Sequence, residues 1–325
     1  VSQNQARDHG GNIDAAKARF GGADWIDLST GINRVPYPLC DLPGEVWTGL
    51  PTATQKAALI TAAQRAFDTS APGVALAGAQ QAIQLVPRLT APGHAKVLAP
   101  TYNEHAGALR GAGWKVTEVP RFEDLAGADL AVVVNPNNPD GRVSAPEALQ
   151  ALSPKVGRLI VDESFADATP DISLADQAGG NLIVLRSFGK FYGLAGLRLG
   201  FAFGAAETIA QLSDMAGPWP VSGPALEIGA RALSDTVWAE ATTARLTGEV
   251  MQIDALAKAV GWALIGGTAL FRTYATLDAV AAQEKLARAQ IWSRIFPYSQ
   301  HWLRLGLPGS AAEWTRLEKV LTDGL

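Results

Sequence analysis

SFGKFYGLAGLRLG, residues 187–200, is the stretch that decides how this 325-residue chain is read. It follows directly on the apolar run Leu-Ile-Val-Leu at 182–185, which predicts a buried strand. An α/β protein holds its ligands at such a place, just outside the carboxyl end of a strand. Lys190 stands among aromatics and glycines, surroundings that strip water from an amine, favour its neutral form and free it to attack a carbonyl. Lys190 is therefore a Schiff-base candidate. Ser187 and Arg198 flank it at spacings that let a hydroxyl and a guanidinium reach one phosphate group together. A surface lysine in a glycine loop has the same local composition.

Outward from this stretch the chain alternates helical and β-rich segments. Residues 53–67 and 79–89 repeat Ala, Leu and Ile at helical spacing. Short β-rich runs are predicted at 96–99, 115–119, 130–135, 159–162, 182–185 and 199–203, with Gly, Pro and Asn at their ends. Several are apolar at every position, as suits strands covered on both faces by helices in a mostly parallel sheet. Residues 224–260 are Ala-rich and read as one long helix or two, connecting one domain to the next. Beyond Gly266-Gly267 a strand is expected at 269–276 and a helix at 278–290. Short strands around Trp292 and Trp302 and a last helix from Ala311 complete a small α+β domain. No internal repeat or low-complexity tract interrupts the pattern.

Composition excludes several classes. Hydrophobic residues make up 48% and charged residues 18%, with nine Trp and ten Phe, enough for a large core. The net charge of −4 comes without a basic run, so neither nucleic acid nor an anionic membrane surface is an expected partner. Apolar runs such as 130–134 are far too short to span a bilayer. The single cysteine, Cys40, rules out an internal disulfide, and with the polar amino-terminus makes the cytoplasm the expected compartment. His9, His94, His105 and His301 share no spacing with acidic residues that suggests a metal site. A P-loop is excluded because Phe191 follows Gly189-Lys190, and no G-x-S-x-G elbow exists.

Ser-x-x-Lys followed by Gly-Leu-Arg-Leu-Gly resembles the lysine signature of class I and II aminotransferases, and other elements of that family follow in order from His9 to Arg304. The resemblance implies an α/β fold of the PLP-dependent transferase fold type I. Its large domain would hold a mostly parallel mixed sheet covered by helices, beside a small α+β domain. The edges are expected at 1–45 for an amino-terminal arm with part of the small domain, 46–245 for the large domain and 246–325 for the small one. It implies pyridoxal 5′-phosphate as cofactor, with Lys190 forming the Schiff base.

Gly78-Ala79-Gln80 opens a helix whose free N–H groups suit a phosphate, and resembles the family's phosphate cup. A glycine before a helix is also commonplace. Tyr102 resembles the aromatic residue that stacks on the pyridine ring, where a core tyrosine is the other reading. Asn138, in the string NPNNPDG, matches the asparagine that hydrogen-bonds the cofactor's 3′-oxygen, and plain turn chemistry competes. Asp162 ends an apolar strand, where a carboxylate is costly unless paired. The resemblance pairs it with the protonated pyridine nitrogen. Phe165 departs from the family pattern, which often places a tyrosine three residues after the aspartate.

His9-Gly-Gly-Asn12 and the segment DLSTGIN at 27–33 resemble the threonine-phosphate decarboxylases of cobalamin biosynthesis, with histidinol-phosphate aminotransferases as the alternative. Substrates of both kinds carry a phosphate ester. His9, Asn12 and Gly31 are implied substrate contacts, though the first two also read as a solvated amino-terminus. Arg304 matches the arginine that grips the α-carboxylate through a planar, two-pronged hydrogen bond. Arg294 and Arg272 lie on strand segments of the same domain, as phosphate contacts or surface charges. HGGN and Phe165 together favour decarboxylation over transamination. A third reading is a non-catalytic binding protein on the same fold. A homodimer is the family expectation, yet Arg34 and Leu50-Pro51 depart from the pattern. The family's tyrosine at position 50 reaches the partner's cofactor phosphate, so that contact is in doubt.

Overall fold

The computed structural model describes residues 9–323. The polar amino-terminus of the sequence reading, up to residue 8, lies outside them, as does the start of the expected 1–45 segment. The chain divides into two units, one of Tyr37–Asn138 and Arg142–Glu240, the other of the chain up to Pro36, Pro139–Gly141 and the chain from Ala241. The unit edges thus fall at 36/37 and 240/241, where the sequence suggested 45/46 and 245/246.

The larger unit is built on a seven-stranded sheet. Its spatial order is Gly73–Ala77, Leu199–Phe203, Leu182–Ser187, Leu159–Asp162, Leu130–Val134, His94–Leu98 and Lys115–Val119. Leu199–Phe203 runs against both its neighbours, and the other strands share one direction. Leu130–Val134 and Leu199–Phe203 are buried at every residue, which is why they read as unbroken apolar runs rather than alternating ones. Gly73–Ala77 is missing from the sequence reading. It is short and Gly/Ala-rich, and Gly73 is needed because a Cβ there would meet the Phe203 ring at 2.6 Å.

Helix starts follow their capping residues. Thr52 and Gln55 form a reciprocal capping box at the head of Ala53–Ala66. Ala79–Leu85 ends four residues before the expected 89, because Pro87 cannot continue the α-helix and takes a 3₁₀ turn, Val86–Arg88. Residues 224–260 form two helices, Gly223–Ser234 and Thr236–Ala259.

The smaller unit carries a four-stranded antiparallel sheet ordered Arg294–Phe296, Ser299–Gly306, Phe271–Ala275 and Ala263–Thr268. The last of these was read as a break. Its Gly266 and Gly267 lie inside the strand because Cβ atoms would strike the carbonyl oxygens of Asp140 and Phe271 at 2.0 and 2.3 Å. Ile26–Asp27 pairs in parallel with Ile291–Trp292, and Ala279–Arg288 and Ala311–Thr322 are capped by Asp278 and Ser310. Among the described residues no helix is long and apolar enough to cross a membrane.

Candidate active site

Six strands of the large sheet point their carboxyl ends to one edge, and the seventh begins there. Gly78, Tyr102, Asn138, Asp162 and Lys190 follow or end the first kind, and Arg198 precedes Leu199–Phe203. The topology therefore collects along one edge residues that the sequence spreads over more than a hundred positions.

Lys190 lies in the four-residue helix Phe188–Phe191, with its Nζ 4.5 Å from the centroid of the Phe165 ring. The position that often carries a phenol thus presents an aromatic face to the amine. Asp162 is 2% exposed. Its Oδ2 meets His105 Nε2 at 2.7 Å, while Oδ1 accepts the Ser164 hydroxyl at 2.5 Å and the Ser164 N–H at 3.0 Å. Burial alone would raise the carboxyl, but His105, the charge of Lys190 and Ser164 outweigh it and hold Asp162 at about 2. It is kept as an anion at the strand end. His105 was weighed in the sequence only as a metal ligand; its signal is a histidine among the buried Ala106, Ala108 and Leu109 of one helix.

Ser187, Gly200 and Leu76 stand cross-strand in one row. Gly78 has φ 76°, and a Cβ there would sit 2.7 Å from Arg198 Nη2. A Cβ at Gly200 would lie 2.3 Å from the Ala79 nitrogen. Two glycines thus let the Arg198 guanidinium and the start of the Ala79–Leu85 helix come together beside Ser187. Arg198, itself in the left-handed region at φ 54°, donates through Nη1 to Ala195 O. Such a cradle of donors could hold a dianion.

Gln80 donates to the buried Glu104 at 2.8 Å and accepts weakly from the Tyr102 hydroxyl at 3.4 Å, linking the cradle to the aromatic candidate. Asn138 is half-buried in the loop after Leu130–Val134, the strand beside Asp162. The neighbouring Asn137 fixes that loop, donating to Pro100 O at 2.9 Å and accepting from Thr101 Oγ1.

In the smaller unit the two amino-terminal motifs meet. Gly11 N–H donates to Ser29 Oγ at 2.7 Å, and a Cβ on Gly10 would be 2.4 Å from Ser29 O. Arg304 Nη2 donates to that same Ser29 carbonyl at 2.6 Å. Arg304 is 6% exposed, and burial together with the charge of Arg294 lowers its guanidinium to about 10. Arg294 and Arg304 are direct cross-strand partners, an arrangement that like charges disfavour and a bound anion would relieve. Arg272 forms a two-pronged pair with Asp254 at 3.0 and 2.7 Å. His9 is exposed, Gly31 is buried, and Asn12 caps the helix Ile13–Phe20 by accepting from Ala15 N–H at 3.2 Å.

The family model for aminotransferase class I and II matches residues 47–321. The chain belongs to the class I and II aminotransferase family. Within it, a protein of Sinorhizobium sp. named threonine-phosphate decarboxylase is 42% identical over 324 residues, spanning 96% of this chain and 97% of its own length. A histidinol-phosphate aminotransferase of Mycobacterium bovis is 36% identical over 216 residues, 63% of this chain and 59% of that protein. The fold is similar to the crystal structure of histidinol-phosphate aminotransferase from Sinorhizobium meliloti in complex with pyridoxal-5'-phosphate. That similarity has a TM-score of 0.84 at 19% identity, over 95% of this chain and 94% of the other. The class I and II fold expected from residues 187–200 is thus the fold found.

Proposed function

We propose that this protein is a pyridoxal-phosphate-dependent carboxy-lyase that converts L-threonine O-3-phosphate to aminopropanol phosphate and CO₂ for cobalamin biosynthesis. The observation that carries this reading is the similarity to a threonine-phosphate decarboxylase, 42% identical across 96% of the chain, where the histidinol-phosphate aminotransferase of Mycobacterium bovis is 36% identical across 63%. Phe165, in place of a tyrosine, agrees with it.

The residues present fit the cofactor. Gly78 and Gly200 leave no room for a Cβ in the cradle, and Asp162 is held as an anion in a buried setting that suits a cationic ring nitrogen. When bound, pyridoxal phosphate supplies an electron sink for the bond broken at the substrate's Cα. Ser187, Arg198 and the N–H groups of Ala79 and Gln80 hold its phosphate. Asp162, fixed by His105 and Ser164, keeps the ring nitrogen protonated. Tyr102 and Asn138 orient the ring. Lys190 Nζ would hold the cofactor covalently, and its amine is the group that would hand a proton to the substrate's Cα.

Arg304 takes the substrate carboxylate, and Arg294 the phosphate ester together with the His9–Asn12 segment and Gly31. A doubly anionic substrate relieves the repulsion of the cross-strand arginines. We also infer a cytoplasmic homodimer. A groove of about 820 Å³ on the larger unit is lined by Leu39, Trp47, Leu50, Leu194 and Trp219, and Trp47 and Leu50 are 67 and 65% exposed. Apolar surface of this kind, running into the segment after Lys190, favours a second copy as its cover.

Incubation with L-threonine O-3-phosphate and no keto acid tests the reaction. Stoichiometric CO₂ and aminopropanol phosphate are expected. Glutamate formed from histidinol phosphate only when 2-oxoglutarate is present would instead establish the aminotransferase.

A further inference from the structure

The ladder that joins the strands His94–Leu98 and Leu130–Val134 ends at Val97 and Val132. Beyond it the two backbones turn apart, Ala99 N–H donating to Val119 O and Asn135 N–H to Asp162 O, on opposite sides. Both then run on as loops, the first to Tyr102 and the second to Asn138, the two residues assigned to the cofactor ring.

A side chain rejoins them. Asn137, 1% exposed, donates through Nδ2 to Pro100 O at 2.9 Å and accepts through Oδ1 from Thr101 Oγ1 at 2.5 Å. A carbonyl oxygen only accepts, so Nδ2 has to face Pro100 and Oδ1 is left for the hydroxyl. One planar amide thus grips two successive residues of the facing loop. The backbone N–H of Asn137 donates to Arg142 O at 2.9 Å, and Arg142 Nη2 donates to the same Pro100 carbonyl at 3.1 Å. The base of the Asn138 loop is thereby closed and fastened to the Tyr102 loop from both of its ends. Tyr102 in turn stands at the head of the helix Asn103–Gly111, whose first turn carries His105, the partner of Asp162.

We propose that Asn137 is a positioning residue of the cofactor site: its amide sets the spacing between the Tyr102 loop and the Asn138 loop, and so acts on the ring through both. Without the amide the Thr101 hydroxyl and the Pro100 carbonyl each lose a bond beside a buried side chain, and the loops lose the tie between them. The proposal rests on the roles given to Tyr102 and Asn138, and adds that one amide sets the two together.

The test uses the full-length chain loaded with pyridoxal phosphate and reads the cofactor's visible absorbance against pH, so it is independent of which reaction the enzyme performs. A donor to the cofactor's 3′-oxygen favours the ionised form of that oxygen, and losing the donor raises the pH midpoint of the band. Asn138→Ala should raise it directly. Asn137→Ala should move it the same way and weaken cofactor binding about tenfold, with Thr101→Val showing smaller changes of the same sign and Thr101→Ser the wild-type values. A contribution to folding alone would lower the unfolding temperature of Asn137→Ala and leave its midpoint in place. That result, beside a raised midpoint in Asn138→Ala, overturns the proposal. An unmoved midpoint in Asn138→Ala removes that residue from the ring, and the proposal falls with it. If Asn137→Ala does not fold, Thr101→Val decides, and a midpoint equal to wild type there overturns the proposal as well.

Discussion

His105 Nε2 and Asp162 Oδ2 lie 2.7 Å apart in the buried interior, although 57 residues separate them in the chain. The pair carries a consequence for acid stability. Burial would raise the Asp162 carboxyl, but His105, Lys190 and Ser164 bring it from 3.8 to about 2. A carboxyl depressed in the folded state contributes stability that is complete above its unfolded value and disappears as pH falls through its folded value. Between about pH 4 and pH 2 the wild type should therefore lose roughly 2 kcal/mol more than Asp162→Asn. Denaturant unfolding of both proteins across that window measures it, and parallel curves contradict it.

Gly200→Ala should damage the cradle without touching a side-chain donor. The new Cβ would stand 2.3 Å from Ala79 N and 2.6 Å from Gly78 C, both backbone atoms that cannot swing aside. A cost of about 1–3 kcal/mol in unfolding is expected, the usual result of overpacking. Titration by visible absorbance should also show weaker cofactor binding, since the helix start is displaced; unchanged affinity would separate this glycine from the site.

Much of this edge was legible in the sequence. Residues 187–200 place a lysine after a buried strand, and unbroken apolar runs at 130–134 and 159–161 announce strands covered on both sides. The pairing of His105 was not legible, because its partner is distant in the chain and the apolar neighbours on its helix mark a buried face without naming the carboxylate it meets. Nor was the Gly73–Ala77 strand, whose small residues answer to the Phe203 ring rather than to a β-forming preference. Gly266 and Gly267 misled for the same reason, since a glycine demanded by a neighbouring carbonyl looks the same as one that ends a strand.

Arg304→Lys keeps the charge and loses the planar fork. Substrate KM should rise about 10–100-fold while cofactor affinity stays at the wild-type value. Steady-state kinetics beside a cofactor titration checks both halves, and an unchanged KM removes Arg304 from the carboxylate contact.

Trp47→Arg/Leu50→Arg places two charges on the exposed apolar rim of the groove. Sedimentation velocity should then find dimers for the wild type and monomers for the double variant. Dimers of undiminished affinity in the double variant would move the interface elsewhere.

The account depends most on which amine meets the coenzyme's aldehyde. The protein loaded with pyridoxal phosphate, reduced with borohydride, digested and mapped by mass spectrometry, should carry the phosphopyridoxyl group on Lys190, and Lys190→Ala should carry none. A label on any other lysine, or one that survives in Lys190→Ala, contradicts it.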